Sequence, residues 1–244
     1  MENSCFIILL ESSTDSCSVA LSNGSELIAE KYFCIPKEHD HIMAQLVKDI
    51  LKENDITVAD CKAIAVSKGP GSYMGLRIAT SLAKGIAYGG NLRFIGVSTL
   101  DVIGQNAIDS NLLQNGESKI VTMIDAGRME VYAATFDTSL NEITPVCAKI
   151  LNFDSYAEYL EREKVLFTGN GALKFQNYLQ EEAKNNPLID KRLRNATFKE
   201  QLPHASGLRI KAFQKIQKEE YDSVAYFEPF YLKDFIPGKP KKLL

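Results

Sequence analysis

Residues 7–33, IILLESSTDSCSVALSNGSELIAEKYF, contain the pattern on which the prediction of the fold depends. A first apolar run ends at Glu11, small polar residues follow, and a second apolar run leads into Ser22-Asn23-Gly24-Ser25. Asn-Gly between two apolar runs is a strong short-range signal for a β-hairpin, and residues 27–33 predict the returning strand. The stretch therefore predicts a buried strand, a turn that carries an acid, and then a hairpin.

The same order recurs in the second half of the chain. The apolar run 120–124 ends at Asp125, and two further strand patterns, 130–136 and 142–150, are separated by turn residues. The remaining patterns predict strands over 63–66, 94–97 and 165–168 and helices over 38–54, 72–89, 99–106, 172–184 and 206–218, with a further segment at 154–162. Alternating strands and helices with a repeated opening predict an α/β protein built from a duplicated unit.

The composition is that of a folded globular protein. Of the 244 residues, 45% are hydrophobic and 24% are charged, and 28 basic against 31 acidic residues leave a net charge of −3. These values argue against a disordered tail and against a main phosphate-contacting surface for nucleic acid. The one basic cluster, 233–242, is interpreted as a solvated tail in preference to an RNA contact.

The cysteines and the N-terminus indicate the setting of the protein. The five cysteines are scattered and include no Cys-x-x-Cys pair, which argues against a disulfide framework and a zinc site. The apolar start, 1–10, is too short for a membrane span and lacks the features of a signal peptide, so we interpret it as a buried strand. We therefore expect a cytoplasmic location.

Two glycine-containing loops precede helical patterns. The first, 68–77, reads Lys-Gly-Pro-Gly-Ser-Tyr-Met-Gly-Leu-Arg, and the second is 168–172. Glycine lets a backbone come close to another group, and free N–H groups at a helix start suit an anion. The first loop lacks the Gly-Lys-Ser/Thr ending of a P-loop, so a tight structural turn and a phosphate cradle are both consistent with it. The cradle would consist of Gly69, Gly71, Ser72 and Gly75.

Two carboxylates, Glu11 and Asp125, end the opening strands of the two halves. They stand where an actin-like fold holds magnesium-bound phosphate, but either could instead accept hydrogen bonds from turn amides, which we favour slightly. The pair in His39-Asp40-His41 points in different directions at a helix start and is interpreted as structural. No Ser-His-Asp, Cys-His or His-Glu-x-x-His set stands out.

Motifs throughout the chain match those of one known family. They are the stretches 11–21, 37–39, 69–77, 96–100, 124–126 with 130–132, and 228–233. On these motifs the chain resembles the bacterial TsaB family, also called YeaZ, most strongly over 7–136. The resemblance implies an α/β, two-lobed actin-like, HSP70-type (ASKHA) ATPase fold, with an N-terminal lobe at 1–115 and a C-terminal lobe at 116–244.

The resemblance also implies a function in making threonylcarbamoyladenosine, 3′ of the anticodon in tRNAs that read A-starting codons. Family members are the non-catalytic partner of a homologous metal-bearing subunit, TsaD, which a small ATPase, TsaE, also assists. The catalytic relative has a His-x-x-x-His metal pair on its first helix, whereas here His39 is followed by Met43, and a thioether is a poor ligand for hard iron. The expectation is therefore no catalytic residue, no metal and no cofactor, beyond weak adenine-nucleotide binding at an interface with partners.

Two residues depart from the patterns of related sequences, and two other functions are considered for the chain, phosphotransferase and peptidase. Glu11 stands where many actin-like ATPases have Asp, and Arg128 is displaced by Gly127 from the order familiar in the family. A phosphotransferase of the same fold, resembling sugar or acetate kinases, would need a larger second lobe and a catalytic base. A peptidase would need a metal pair or a nucleophile with its base, and neither is apparent.

Two helical patterns, 38–54 and 72–89, are apolar over a wide arc. A stripe of roughly 100° suffices for packing on one core, whereas apolar residues cover about 200° of the first helix and about 220° of the second. We predict a spare face that, by the family resemblance, contacts TsaD in a heterodimer or a second copy in a homodimer. Alternatively, these residues face the chain's own sheet. The predicted interface consists of Ile42, Met43, Leu46, Val47, Ile50, Ala79, Leu82, Ala83 and Ile86.

Overall fold

The computed structural model describes residues 4–33, 39–113 and 116–233, and the first of its two sheets lies in the N-terminal half. The strands of this sheet are β1 (Phe6–Glu11), β2 (Cys17–Asn23), β3 (Glu26–Phe33), β4 (Cys61–Gly69) and β5 (Arg93–Ser98). Its helices are α1 (His39–Glu53), α2 (Tyr73–Gly90) and α3 (Thr99–Asp109). β1 pairs antiparallel with β2 and parallel with β4, so it lies at the centre.

The second sheet lies in the C-terminal half. Its strands are β6 (Lys119–Asp125), β7 (Glu130–Asp137), β8 (Glu142–Ile150), β9 (Val165–Thr168) and β10 (Ala196–Lys199). The helices are α4 (Ala157–Leu160), α5 (Ala172–Ala183), α6 (Pro187–Leu193) and α7 (Arg209–Gln217). β6 pairs antiparallel with β7 and parallel with β9, as β1 does with β2 and β4.

The two sheets have the same topology. The order is β3-β2-β1-β4-β5 in the first and β8-β7-β6-β9-β10 in the second, so each contains an antiparallel hairpin followed by two parallel strands. The hairpin signal Asn23-Gly24 lies between β2 and β3, where Gly24 has φ +58°. The predicted duplication is confirmed, and two such units facing each other form a two-lobed fold of the actin-like type.

Two elements of the second lobe are missing from the predictions. Helix α6 begins at Pro187 and is capped by Asn186, whose side chain accepts from the Leu188 N–H. This helix is only seven residues long, and β10 is a four-residue edge strand that stays partly exposed, so neither shows a clear hydrophobic period. Among the described residues, no helix is both long and apolar enough to cross a membrane.

The alternating side chains of β1 supply both faces of the first sheet. Ile8 and Leu10 pack with α1 and α2, whereas Ile7 and Leu9 pack with the C-terminal helix α7. This explains why β1 is apolar without a break from Phe6 to Leu10, since a strand covered on both faces has no solvent side. Helix α3 lies between the lobes, because Val102 contacts the core of the first sheet and Ile103 that of the second.

The predicted domain boundaries need one correction. The 1–115 and 116–244 division separates the two sheets, but residues 205–217 return to the first lobe, where Ala205, Leu208 and Ala212 are buried against β1. Asp222 then pairs with Phe94 of β5. The first lobe is therefore completed by residues 205–222, because the face of its sheet opposite α1 and α2 needs a cover.

The predicted interface also needs correction. Five of its nine residues are buried in the first lobe's own core and leave no surface for a partner: Met43, Val47, Ile50, Ala79 and Ala83. The wide apolar arc arises because α1 and α2 pack on the sheet and also contact each other, so each helix buries two sides. The other four, Ile42, Leu46, Leu82 and Ile86, are partly exposed.

Candidate functional site

A cleft of about 330 Å³ lies between the lobes. The turn after β1 and the loop after β4 form its first wall, and the turn after β6 and the loop after β9 form its second. These four segments follow equivalent strands of the two halves, so the duplication itself creates the cleft. Its lining consists of Ser13, Thr14, Asp15, Gly71, Ser72, Ile124, Asp125, Ala126, Tyr132 and Asn170.

The glycines of the first loop are occupied by protein. The Ser72 N–H donates to the Ser13 carbonyl oxygen at 2.6 Å. A Cβ on Gly71 would lie 2.3 Å from that oxygen, and one on Gly75 would lie 1.9 Å from the Ser12 carbonyl oxygen. The loop is therefore a tight structural turn packed on the turn after β1. Of the four predicted cradle residues, Gly71 and Ser72 line the cleft and Gly69 and Gly75 do not.

The loop after β9 repeats this arrangement. Gly169 has φ +102°, and a Cβ there would lie 2.1 Å from the Met123 carbonyl oxygen. Gly171 donates its N–H to the same oxygen at 3.2 Å, and the Asn170 side chain accepts from the Asp125 N–H at 2.9 Å. Both glycine-containing loops thus use glycine for close contact with the end of the central strand of their own lobe.

Replacing Gly75 by alanine is expected to lower the free energy of unfolding by about 2–3 kcal/mol, because the new methyl group would overlap the Ser12 carbonyl. Gly85→Ala is the matched control on the same helix, since no atom lies within 4 Å of its Cβ position. It should raise stability by about 1 kcal/mol through helix propensity. Urea denaturation of both variants measures the difference, and equal stabilities would contradict the close contact at Gly75.

Glu11 is fully buried at the end of β1 and does not line the cleft. Its Oε1 accepts from the Ser13 N–H at 2.6 Å and from the Ser13 hydroxyl at 2.5 Å, while Oε2 accepts from the Ser67 hydroxyl. Burial raises the pKa of this carboxyl to about 7, and the bonds from Ser13 offset only part of that effect. Glu11 accordingly joins the ends of β1 and β4, as the turn-amide interpretation expects.

Asp125 is the exposed counterpart of Glu11 in the second lobe. Its Oδ1 accepts from the Gly127 N–H at 2.7 Å and pairs with the Lys174 ammonium at 2.5 Å. Lys174 also donates to the Glu130 carbonyl oxygen at 2.7 Å. The carboxylate therefore holds the turn between β6 and β7 against α5.

The cleft does not fit a nucleotide polyphosphate. The charged side chains in its lining are the carboxylates of Asp15 and Asp125, and the Lys174 ammonium beside Asp125 is already paired with it. A polyphosphate needs cations or aligned free amides, and here loop amides such as that of Ser72 are bonded to carbonyl groups of the protein. We therefore derive no phosphate chemistry from this cleft.

His204 does not line the cleft. The ring of His204 stacks on that of Tyr32 at 4.7 Å, and the side chains of His39, Asp40 and His41 are outside the described part of the structure. Within the described residues, no three His, Cys, Asp or Glu side chains are grouped to hold a metal ion. The predicted basic cluster after Lys233 also lies outside the described residues.

The outer face of α2 is a second candidate site. Met74 is 65% exposed and Tyr88 is 87% exposed, at the two ends of this face. Between them, Gly85 and Gly89 leave open space where a Cβ would stand. The partly exposed residues Leu82 and Ile86 flank the glycines, and Ile42 and Leu46 lie on the neighbouring α1. This surface combines exposed large side chains with small ones, as a helix-packing surface does.

Sequence reasoning missed the residues that hold the first loop from its other side. The Phe230 N–H donates to the Lys68 carbonyl oxygen at 2.6 Å, and a Cβ on Gly69 would lie 2.5 Å from the Phe230 carbonyl oxygen. The motif 228–233 was recognised as a family feature, but a contact across more than 150 positions gives no local signal. Lys174 was missed because its partners Asp125 and Glu130 lie 49 and 44 positions away, too far to give a local signal.

The fold and the cleft define a class, a two-lobed protein of the actin-like type whose interlobe loops are packed against protein. The sequence model of the family described as "TsaD: tRNA N6-adenosine threonylcarbamoyltransferase" matches residues 34–236. TsaB of Escherichia coli (strain K12) is 37% identical over 137 residues, which is 56% of this chain and 57% of that protein. TsaB of Bacillus subtilis (strain 168) is 29% identical over 172 residues, 67% and 70% of the two chains. The chain belongs to the TsaB (YeaZ) family of TsaD-related proteins.

The solved structures agree on the fold. YeaZ from Pseudomonas aeruginosa is 23% identical, with a TM-score of 0.71, and the match covers 93% of this chain and 100% of that chain. The chain spans about half of the length of the first curated relatives it matches, with 57%, 51% and 60% of their residues covered.

Proposed function

We propose that this chain is the non-catalytic subunit required for threonylcarbamoyl transfer to adenosine 3′ of the anticodon in tRNAs that read A-starting codons. In this proposal it acts in the cytoplasm as scaffold and activator of TsaD, which carries the metal and the catalytic site, together with TsaE. Curated relatives named "tRNA threonylcarbamoyladenosine biosynthesis protein TsaB" support the pathway. The geometry of this chain supports a non-catalytic role for it and a catalytic role for TsaD.

The observation that carries the proposal is the position of Met43. By the family resemblance, this residue corresponds to the second histidine of the catalytic relative's metal pair, and its side chain is 0% exposed in the core of the first lobe. A histidine at this position would have to leave that core in order to reach a metal. The residue therefore serves the packing of α1 on the first sheet, and the transferase chemistry falls to the partner.

The cleft supports the same assignment. Its two glycine-containing loops are packed on their own strand ends, and its carboxylates are Asp15 and Asp125. Such a lining disfavours tight polyphosphate binding by this chain alone. Any adenine nucleotide is expected to bind weakly and at a contact with a partner.

We place the TsaD contact on the outer face of α2 and the adjoining side of α1. The exposed ends, Met74 and Tyr88, would supply contact area, and Gly85 and Gly89 would let a partner helix approach closely. This face differs from the first prediction, because Ala79 and Ala83 point inward. In the absence of TsaD, the same face would join two copies of the chain.

Gly85→Arg is expected to weaken TsaD binding at least about 100-fold while the chain stays folded, because a charged side chain would stand in the middle of the contact. No atom of another element lies within 4 Å of a Cβ built at Gly85, so the arginine side chain leaves the helix into open space. Calorimetric titration with TsaD gives the affinity, and circular dichroism confirms folding. Gln180→Arg is the matched control, because Gln180 is an exposed residue of α5 in the second lobe. A folded Gly85→Arg variant with unchanged affinity would place the contact elsewhere.

Reconstitution tests the function itself. Purified TsaD, TsaE, threonylcarbamoyl adenylate and unmodified tRNA are combined with and without this chain, and modified adenosine is measured by nucleoside mass spectrometry. We expect product only when the chain is present, and none from the chain alone. Equal product without the chain would overturn the proposed role, and ATP turnover by the isolated chain above about 1 per second would favour the phosphotransferase alternative.

A further inference from the structure

The C-terminal segment 222–233, here called the strap, crosses from the first lobe to the second. It begins on the edge of the first sheet, where the Asp222 N–H donates to the Phe94 carbonyl oxygen at 2.9 Å. The Asp222 carboxylate accepts from the Gly96 N–H at 2.8 Å. The Phe227 ring then packs on Phe94 at 4.7 Å between ring centres. The strap is thus anchored to β5 before it reaches the first glycine-containing loop.

The middle of the strap holds the first glycine-containing loop and the start of α2. Phe230 bonds to the Lys68 carbonyl, and its own carbonyl lies so close to Gly69 that a side chain there would collide with it. The ring of Tyr231 packs on that of Tyr73, 4.9 Å between centres, in the first turn of α2. Gly69 is therefore required by the strap, whereas Gly71 and Gly75 are required by the turn after β1.

The end of the strap reaches the second lobe. The Lys233 ammonium forms an ion pair with the Glu130 carboxylate at the start of β7. Glu130 is linked through its carbonyl to Lys174, and Lys174 is paired with Asp125 in the cleft. A continuous set of contacts therefore runs from the edge of the first sheet, past the first turn of α2, to the acid that lines the second wall of the cleft.

We propose that the strap is an interlobe latch that fixes the second lobe against the first turn of α2, so that the cleft and the outer face of α2 are presented as one rigid unit. The inference deepens the proposed function, because α2 is the helix that we place against TsaD. The contacts at Lys68, Tyr73 and Glu130 are all made by four consecutive strap residues, 230–233. Loosening this short piece should free both walls of the cleft together.

The test is hydrogen exchange of the full-length isolated chain, followed by mass spectrometry. Lys233→Glu, which replaces attraction to Glu130 by repulsion, is expected to speed exchange about three- to tenfold in peptides covering 68–76 and 126–132, with β1 to β3 unchanged. Tyr231→Ala should act at 68–76 in the same direction. Lys184→Glu is the matched control, because Lys184 forms a surface ion pair with Glu181 away from the strap.

A double-mutant cycle separates the latch from general charge effects. In a Glu130→Gln background, Lys233→Glu should have little further effect on exchange, whereas a full effect there would overturn the assigned ion pair. Unchanged exchange at both 68–76 and 126–132 in the single variant would overturn the latch. TsaD affinity is measured in parallel. Faster exchange with unchanged affinity would support the latch and count against the placement of the TsaD contact on α2.

Discussion

Ala83→Arg is expected to unfold the first lobe at room temperature. Ala83 is 0% exposed and packs in the core between α2 and the first sheet, with Ala79 on the preceding turn. An arginine there would both overfill the core and bury an unpaired charge, and together these effects cost more than about 4 kcal/mol. Because whole domains are stable by only about 5–15 kcal/mol, we expect low soluble yield and a loss of ordered tertiary structure.

Ser81→Arg provides the comparison, since Ser81 lies two residues earlier on the exposed side of the same helix. The free energy of unfolding of this variant should stay within about 0.5 kcal/mol of the wild-type value. Circular dichroism and urea titration of both variants measure the difference. If Ala83→Arg were as stable as Ser81→Arg, Ala83 would have to face solvent, and the interface first predicted from the sequence would regain its central residue.

The pH dependence of stability is expected to change when Glu11 is replaced by glutamine. The pKa of Glu11 is raised from 4.5 to about 7 in the folded state, so the folded chain holds this proton more tightly than the unfolded chain does. The contribution of Glu11 therefore makes the protein less stable as pH rises from about 4.5 to about 7, and is constant above that range. Glutamine is neutral throughout. The free energy of unfolding of the variant, relative to that of the wild type, should therefore rise by about 3 kcal/mol between pH 4 and pH 8.

Glutamine can keep the hydrogen bonds of Glu11, because its carbonyl oxygen can accept from Ser13 and its amide can donate to the Ser67 hydroxyl. Urea denaturation at several pH values gives the difference between wild type and variant, in which the other titrating groups cancel. Glu11→Ala is the control, since it leaves buried donors unpaired and should destabilise at every pH. Parallel pH profiles for wild type and Glu11→Gln would show that Glu11 keeps an ordinary pKa in the fold.

Most of the secondary structure could be predicted because its signals are local. β1 is apolar from Phe6 to Leu10, before Glu11, and the turn at Asn23-Gly24 determines the hairpin that follows. The second copy around Asp125 made the duplication visible, whereas the strand order of each sheet comes from the tertiary structure. Helix α6 and strand β10 could not be predicted, because short, partly exposed elements bury too few side chains to show a period.

The candidate site was predicted only in part. Both glycine-containing loops and both strand-end acids could be located from the sequence, but glycine signals close approach without saying what approaches. Tertiary structure decides that the approaching groups are the Ser12 and Met123 carbonyls and the strap. It also decides that Glu11 is buried and Asp125 exposed, a difference that the strand patterns before them do not show.

The sequence by itself determined that this is an α/β protein of two similar halves with the motifs of the TsaB family, because strand and helix periods, hairpin turns and family motifs are properties of neighbouring residues. Only the tertiary structure decided which sides of α1 and α2 are free and where residues 205–233 lie. An apolar arc records how much of a helix is buried, but not by what, so Ala83 could equally have faced a sheet or a partner. Likewise, the contacts of Asp222, Phe230 and Lys233 with the two lobes depend on side chains brought together by folding alone.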